Sequence, residues 1–253
     1  MQLDGKTVII TGAGHGLGRA YALACAAEGA NVACADIDDA AVQAVAARIR
    51  EAGGNAFALR TDVTDVAGVV RLADATAAQF GGIDGLVNNA GIMGVIPMSR
   101  VPFELVPDEE WDRVFATNVK GTWYCCRAVV PHLRRRGGGS VVNISSSTSF
   151  LGSPTRIHYV ASKSAIIGFT RTLAREVGRD LIRVNAIAPG SVLTEEQPTP
   201  ELVAMRQRFA ENQAINHVLE TCDVVGTMVF LLSDASRYLT GQTIVLDGGA
   251  VLN

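Results

Sequence analysis

A tyrosine and a lysine four residues apart, Tyr159 and Lys163, are the side chains best placed to do chemistry. The surrounding sequence predicts a helix over His158–Gly178, and residues four apart on a helix share one face. A nearby ammonium stabilises phenolate, so we expect the tyrosine pKa to fall from about 10 by roughly 1–3 units. The pair therefore predicts a tyrosine that exchanges a proton near neutral pH.

A glycine-rich turn, Thr11–Gly18, joins the first apolar run to a predicted helix. Glycines let a backbone approach a pyrophosphate closely, and a helix N-terminus offers unpaired N–H groups to it. Asp36 ends the second apolar run, where a carboxylate can accept hydrogen bonds from ribose hydroxyls and would repel a 2′-phosphate. Because no Arg or Lys adjoins Asp36 in the sequence, NAD(H) is expected rather than NADP(H). The alternative is that Asp36 only caps a helix or turn.

Short apolar runs alternate with helix-forming stretches along the whole chain. The apolar runs predict seven buried strands at Lys6–Thr11, Asn31–Ala35, Ala56–Arg60, Ile83–Asn88, Ser140–Ser145, Arg183–Ala188 and Thr243–Leu246. Helices are predicted between them at Leu17–Glu28, Asp39–Ala52, Val66–Phe80, Asp108–Arg135, His158–Gly178 and Cys222–Leu232. This alternation predicts one α/β domain over residues 1–253, a Rossmann-like doubly wound parallel sheet of seven strands with helices on both faces.

Composition narrows the possible partners. The 253 residues carry a formal charge of −3, which gives no basic surface for nucleic acid or an anionic membrane. The chain opens without a cationic, apolar leader, so a cytoplasmic location is expected. Its five cysteines include no CxxC pair, and no metal site is predicted. A small molecule is the expected partner.

Several separated motifs together resemble the short-chain dehydrogenase/reductase family. Besides the glycine turn and the Tyr-x-x-x-Lys pair, they are Asn88-Asn89-Ala90-Gly91, Thr117-Asn118-Val119, Pro189-Gly190, Thr240-Gly241-Gln242 and Asp247-Gly248-Gly249. The resemblance spans Lys6 to Gly249 and implies the same fold with a nicotinamide cofactor. It also implies a catalytic set of Asn118, Ser146, Tyr159 and Lys163.

Each member of that set has a role implied by the resemblance. Tyr159 exchanges the hydroxyl proton, Lys163 also holds the nicotinamide ribose, and Ser146 hydrogen-bonds the substrate oxygen. Asn118 holds a water that links Lys163 to solvent. The family spacing of about thirteen residues before the tyrosine selects Ser146 from three consecutive serines, and Ser147 is the alternative.

The resemblance also implies contacts to cofactor and substrate. The cofactor residues are Gly12, Gly14, His15, Gly16, Leu17, Gly18, Asp36, Ile37, Asp62, Val63, Asn89, Ala90, Gly91, Tyr159, Lys163, Pro189, Gly190, Val192 and Thr194. The substrate residues are Met93, Ser146, Ser147, Tyr159, Met205 and Phe209. Two long connections, Ile92–Pro107 and Ser191–Asn216, should overhang the crevice, and residues 191–216 are expected to act as a substrate lid.

The expected activity is NAD-dependent interconversion of a secondary alcohol and a ketone. Apolar residues in Ile92–Pro107 suggest either a hydrophobic substrate or a subunit contact, and residues around Ser146 and Tyr159 resemble family members acting on aromatic alcohols. The alternatives are a 3-oxoacyl-thioester (ACP/CoA) reductase and a non-catalytic dinucleotide sensor. Family members commonly form homotetramers, and the apolar stretches Trp123–Val130 and Ile166–Leu173 are consistent with that assembly.

Overall fold

The computed structural model describes residues 1–93 and 96–252. Within them one sheet of seven parallel strands has the order β3-β2-β1-β4-β5-β6-β7. The strands are β1 Thr7–Thr11, β2 Asn31–Asp36, β3 Asn55–Arg60, β4 Gly85–Asn88, β5 Gly139–Ile144, β6 Ile182–Pro189 and β7 Thr243–Leu246. The predicted doubly wound α/β fold is confirmed.

Both faces of the sheet are covered by helices, because alternate side chains of each strand enter different cores. In β1, Val8 and Ile10 join one apolar cluster, while Ile9 joins the cluster on the opposite face. The helices are α1 Gly16–Ala27, α2 Asp39–Glu51, α3 Val66–Phe80, α4 Asp108–Phe115, α5 Thr122–Arg136, α6 Thr148–Leu151, α7 Ile157–Val177, α8 Pro200–Ala210 and α9 Thr221–Leu232. In the described residues, no helix is both long enough and apolar enough to cross a membrane.

The helix predicted over Asp108–Arg135 is interrupted. A π-helical segment, Ala116–Gly121, lies between α4 and α5, and Asn118 is at its centre. The Thr122 hydroxyl donates to the Asn118 carbonyl at 2.9 Å within this widened turn. A single π turn inside an α-helix is frequent at functional sites.

The sheet topology fixes where a ligand can bind. From β1 the chain moves outward to β2 and β3, then returns to pair β4 with the other side of β1. The loops after β1 and β4 therefore diverge and leave a crevice at the carboxyl edge of the sheet. The two long connections leave β4 and β6 at this same edge.

Candidate active site

A cavity of about 1130 Å³ lies along the carboxyl edge of the sheet. It begins between the loops that follow β1 and β4 and continues to the N-terminal part of α7. Its lining includes most of the predicted site residues: Gly12, His15, Gly16, Leu17, Asp36, Ile37, Asp62, Val63, Asn89, Ala90, Gly91, Met93, Ser146, Tyr159, Lys163, Pro189, Gly190, Val192 and Thr194.

The glycine turn is held against the end of β4 by two side chains. The Thr11 hydroxyl accepts hydrogen bonds from the backbone N–H groups of Asn89 and Ala90, each at 3.1 Å. The Asn89 amide donates to the carbonyl groups of Thr11 and Gly12, also at 3.1 Å. Gly12 has φ +65°, and a Cβ on it would lie 2.9 Å from Ala90 Cα. Only glycine fits this close approach.

Gly14 and Gly18, predicted to contact the cofactor, do not line the cavity. A Cβ on Gly18 would overlap the Gly12 carbonyl oxygen, so Gly18 lets α1 pack tightly under the turn. The Gly14 N–H donates to Asp36 Oδ2 at 2.8 Å. These two glycines therefore shape the turn without lining the cavity.

Asp36 lines the cavity and also fixes the local backbone. Its second oxygen accepts from the Asp38 N–H at 3.0 Å, and Asp38 in turn pairs with His15 at 3.0 Å. The sequence showed no cation beside Asp36, but the fold brings Arg19 of α1 into the same lining. That guanidinium is paired with Glu196 at 3.2 Å, and Glu196 also contacts Arg48 at 3.4 Å.

Asn118 is buried and does not reach the cavity. Its side-chain oxygen accepts from the Ile92 N–H at 2.8 Å, and its amide donates to Ser162 Oγ at 3.0 Å. Ser162 donates to the carbonyl of Tyr159 at 2.7 Å. Asn118 thus ties the loop after β4 to the turn of α7 that carries Tyr159, a positioning contact that the sequence did not indicate.

The structure separates the three consecutive serines. Ser145 donates to the Lys163 carbonyl at 2.8 Å, and Ser147 immediately precedes α6 and lies outside the cavity lining. Ser146 lines the cavity and accepts hydrogen bonds from the N–H and hydroxyl of Thr148, at 3.2 and 2.9 Å. With its acceptor positions used in this way, the Ser146 hydroxyl has its own proton left to donate, either to Tyr159 or to a ligand in the cavity.

Tyr159 and Lys163 are both buried at the same end of the cavity. The Lys163 ammonium donates to the Ile144 carbonyl at 2.8 Å and lies 6.0 Å from the centroid of the Tyr159 ring. A Cβ on Gly91 would lie 3.4 Å from Lys163 Nζ and 3.2 Å from Asn118 Oδ1, so both atoms face Gly91. The two predicted catalytic side chains are therefore close to one another.

The expected fall in the tyrosine pKa is wrong for the protein alone. Burial raises the pKa of Tyr159, and its hydrogen bond with Ser146 and the charge of Arg156 only oppose that rise. Burial also lowers the pKa of Lys163 from 10.5 to about 8. Desolvation is the largest cause at both residues, because the charged form of each would leave water.

His158, next to the candidate proton donor, is fully buried and outside the cavity lining. Its Nε2 lies 2.9 Å from Glu110 Oε1 on α4. The same carboxylate accepts from the Ser99 N–H and hydroxyl, so it joins the connection after β4 to α7. His158 is placed to hold α7 rather than to contact a substrate.

Several residues depart from the predicted site. Met205 and Phe209 of α8 do not line the cavity, whereas Arg206 between them does. The lining also includes Arg19, Asp38 and Arg113, which sequence reasoning missed because they come from segments without a motif. Val95, one of the apolar residues noted in the connection after β4, lies outside the described residues.

Comparison with known proteins places this geometry in a family. Residues 12–251 match a family model described as enoyl-(acyl carrier protein) reductase. A probable short-chain type dehydrogenase/reductase of Bradyrhizobium diazoefficiens is 40% identical over 248 residues, covering 98% of this chain and 88% of that protein. The chain belongs to the short-chain dehydrogenase/reductase family.

Two further family members are similar over nearly their whole length. A probable galactose dehydrogenase of Rhizobium meliloti is 38% identical, with 98% of this chain and 95% of that protein covered. A solved 7α-hydroxysteroid dehydrogenase, in complex with NADH and 7-oxo glycochenodeoxycholic acid, superposes with a TM-score of 0.90 at 34% identity. The superposition covers 100% of this chain and 96% of that structure. The chain is therefore an oxidoreductase of this family.

The burial of Lys163 is expected to lower the free energy of unfolding. Its pKa is about 8 in the folded chain and returns to about 10.5 on unfolding, so between these values the unfolded chain binds more protons. The free energy of unfolding therefore rises with pH across that window, and below pH 8 the cost is present in full. Lys163→Met should unfold at a higher temperature than the wild type at pH 7, and the difference should shrink toward pH 10.

Thermal unfolding followed by circular dichroism at pH 7 to 10 measures this difference. Lys120→Met, which changes an exposed lysine, is the matched control and should show no such pH dependence. If Lys163→Met were less stable than the wild type at pH 7, the hydrogen bond to Ile144 would outweigh the burial of the charge.

Proposed function

We propose that this chain is an NAD(H)-dependent dehydrogenase/reductase that interconverts a secondary alcohol and a ketone. The supporting observation is that one cavity joins the glycine turn and Asp36 at one end to Ser146, Tyr159 and Lys163 at the other. An elongated dinucleotide that binds along such a cavity would bring its nicotinamide to Tyr159.

The residues of the cavity fit a dinucleotide. The turn around Gly12 leaves space that a Cβ would fill, and α1 begins at Gly16 with N–H groups available to a pyrophosphate. Asp36 can accept hydrogen bonds from ribose hydroxyls and disfavours a 2′-phosphate, which supports NAD(H). A bound nicotinamide would supply the hydride in reduction and accept it in oxidation.

The side chains near Tyr159 carry out the proton transfer. In reduction, Tyr159 gives its phenolic proton to the carbonyl oxygen while the Ser146 hydroxyl donates a hydrogen bond to the same oxygen. The Lys163 ammonium stabilises the phenolate that remains, and a proton from solvent restores the phenol. In oxidation, the phenolate takes the hydroxyl proton. Asn118 acts as a positioning residue, because it holds the turn of α7 on which Tyr159 lies.

The substrate is proposed to have an apolar body. Met93 and Ile96 come from the connection after β4, and they line the cavity together with Ala116 and Thr117. Residues 191–216 are proposed to act as a lid, because Arg206 lines the cavity and Glu196 bonds across it to α1. A 3-oxoacyl-thioester reductase is the second candidate, since a 3-oxoacyl-[acyl-carrier-protein] reductase of Staphylococcus epidermidis is 36% identical to this chain over 246 residues.

The first test concerns the cofactor. Asp36→Asn removes the charge but keeps one oxygen for the Gly14 N–H. It should reduce the preference for NAD(H) over NADP(H), measured as the ratio of kcat/KM values, by about tenfold, which corresponds to ~1.4 kcal/mol of like-charge repulsion. Asp39→Ala, on the exposed start of α2, is the control. Equal kcat/KM of the wild type with both cofactors would contradict the assignment.

The second test concerns the proton donor. Tyr159→Phe keeps the ring but removes the exchangeable proton, so kcat for 1-phenylethanol oxidation or acetophenone reduction should fall by roughly 10²- to 10⁴-fold. NADH binding, followed by cofactor fluorescence, should be retained. Tyr124→Phe changes a tyrosine outside the cavity and should keep full turnover. Near-native kcat in Tyr159→Phe would remove Tyr159 from the mechanism.

Assembly is proposed to be homotetrameric. Trp123 on α5 is 45% exposed beneath the Arg127 guanidinium, and Leu252 near the C-terminus is 83% exposed. A second subunit would remove these apolar side chains from water if they form part of one contiguous surface. Light scattering at micromolar concentration should give four times the chain mass, and a monomeric mass would refute the proposal. The cytoplasmic location expected from the sequence stays a prediction.

A further inference from the structure

Three arginines from separate parts of the chain meet near the Tyr159 end of the cavity. Arg100 lies in the connection after β4, Arg156 immediately precedes α7, and Arg206 lies on α8. Burial lowers the pKa of both Arg156 and Arg206, and repulsion from Arg100 lowers each of them further. The three guanidinium charges are therefore near enough to repel one another.

None of these three arginines makes an ion pair with a carboxylate among the described residues. Among the described residues, no Asp or Glu oxygen lies within 4.0 Å of Arg100, Arg156 or Arg206. By contrast, Arg134 and Arg136 on the surface pair with carboxylates at 2.6 and 2.8 Å. Arginine charges that repel one another and make no ion pair cost free energy in the protein alone, and a negatively charged ligand would relieve that cost.

The hydrogen bonds of the cluster leave donors available. Arg156 donates to the Ser153 hydroxyl, and Arg206 donates through Nη1 to the Ser191 hydroxyl. Arg206 Nε is buried and has no hydrogen-bond partner. Glu195 is the acidic residue whose charge acts on Arg206, but its Oε2 accepts from the Thr194 N–H at 2.9 Å. The carboxylate that attracts Arg206 is therefore shared with a backbone N–H group.

The position of the cluster points to the substrate rather than to the cofactor phosphates. Arg206 lines the cavity together with Ser146 and Tyr159, and the charge of Arg156 acts on the Tyr159 phenol. The glycine turn, where a pyrophosphate would bind, lies at the opposite end. An anion held by the arginines would therefore belong to the molecule whose carbonyl group meets Tyr159.

We propose that Arg206, assisted by the positive charges of Arg100 and Arg156, binds a carboxylate of the substrate, so that the enzyme acts on oxo acids and hydroxy acids with an apolar body. This inference rests on the proposed function and names its substrate class. A guanidinium forms paired hydrogen bonds with a carboxylate, and Arg206 lines the cavity with its Nη2 group unbonded among the described residues. The acid group would anchor one end of the substrate while its carbonyl group lies at Tyr159.

The test compares acids with their methyl esters. A series from acetoacetate to 5-oxohexanoate, each with its ester, is reduced with NADH by the wild type and by Arg206→Gln, Arg156→Gln and Arg208→Gln. The wild type should prefer the acids. The acid-to-ester ratio of kcat/KM should fall by roughly tenfold or more in Arg206→Gln and Arg156→Gln, because a charged hydrogen bond is lost. Arg208 is exposed on the same helix, and its variant should keep the ratio.

Binding without turnover separates this inference from the proposed function. The acids and esters are titrated calorimetrically into the Tyr159→Phe protein with NADH, with and without Arg206→Gln. Selective binding of acids that Arg206→Gln abolishes supports the carboxylate site even if the wild type reduces nothing, a result that would refute the proposed function instead. Equal binding of acids and esters, or an unchanged ratio in the variants, overturns the inference. A weaker affinity for NADH in Arg206→Gln with an unchanged ratio would assign the arginines to the cofactor and likewise overturn it.

Discussion

The candidate site is built around one buried ammonium. Lys163 has left water, and its Nζ donates to the Ile144 carbonyl at the end of β5. Such a burial is unfavourable, so the surrounding fold must supply the packing energy that keeps it there. The same desolvation lowers the pKa of Lys163 to about 8, which leaves its proton easier to release than that of an exposed lysine. The burial of Lys163 therefore lowers the stability of the fold at the position where proton transfer is proposed.

Tyr159 reaches the same position through contacts that are remote from the reacting atoms. The π-helical segment turns Asn118 toward the loop after β4 and toward Ser162, and Ser162 in turn bonds the Tyr159 backbone. On the other side, Glu110 joins α4 to His158. The buried hydrogen bonds of Asn118 and Ser162 favour one arrangement of α7, because any other would leave these groups without partners. They hold the turn of Tyr159 in the geometry that the proposed hydride transfer needs.

Local sequence patterns predicted the strands well, because each is a short apolar run bounded by turn residues. The bounds of β7 match the prediction, and those of β4 differ only at its start. The π-helical segment had no such pattern, since it depends on tertiary contacts of Asn118. Arg206 could not be found for a similar reason: it lies in a long connection, and only the folded chain brings it beside Tyr159. The pKa of Tyr159 was misjudged because spacing on a helix reports proximity but not burial.

Charge is distributed unevenly along the cavity, although the whole chain carries only −3. Its lining includes Asp36 and Asp38 as well as Arg206, whose charge acts on Arg156. Arg156 opposes the rise in the Tyr159 pKa, so the positive cluster acts on the proton donor as well as on any anion nearby. A substrate carboxylate bound there would neutralise part of this field and let the pKa of Tyr159 rise. The phenol would then keep its proton until the carbonyl oxygen gains negative charge, so binding the acid group would prepare the proton donor for reduction.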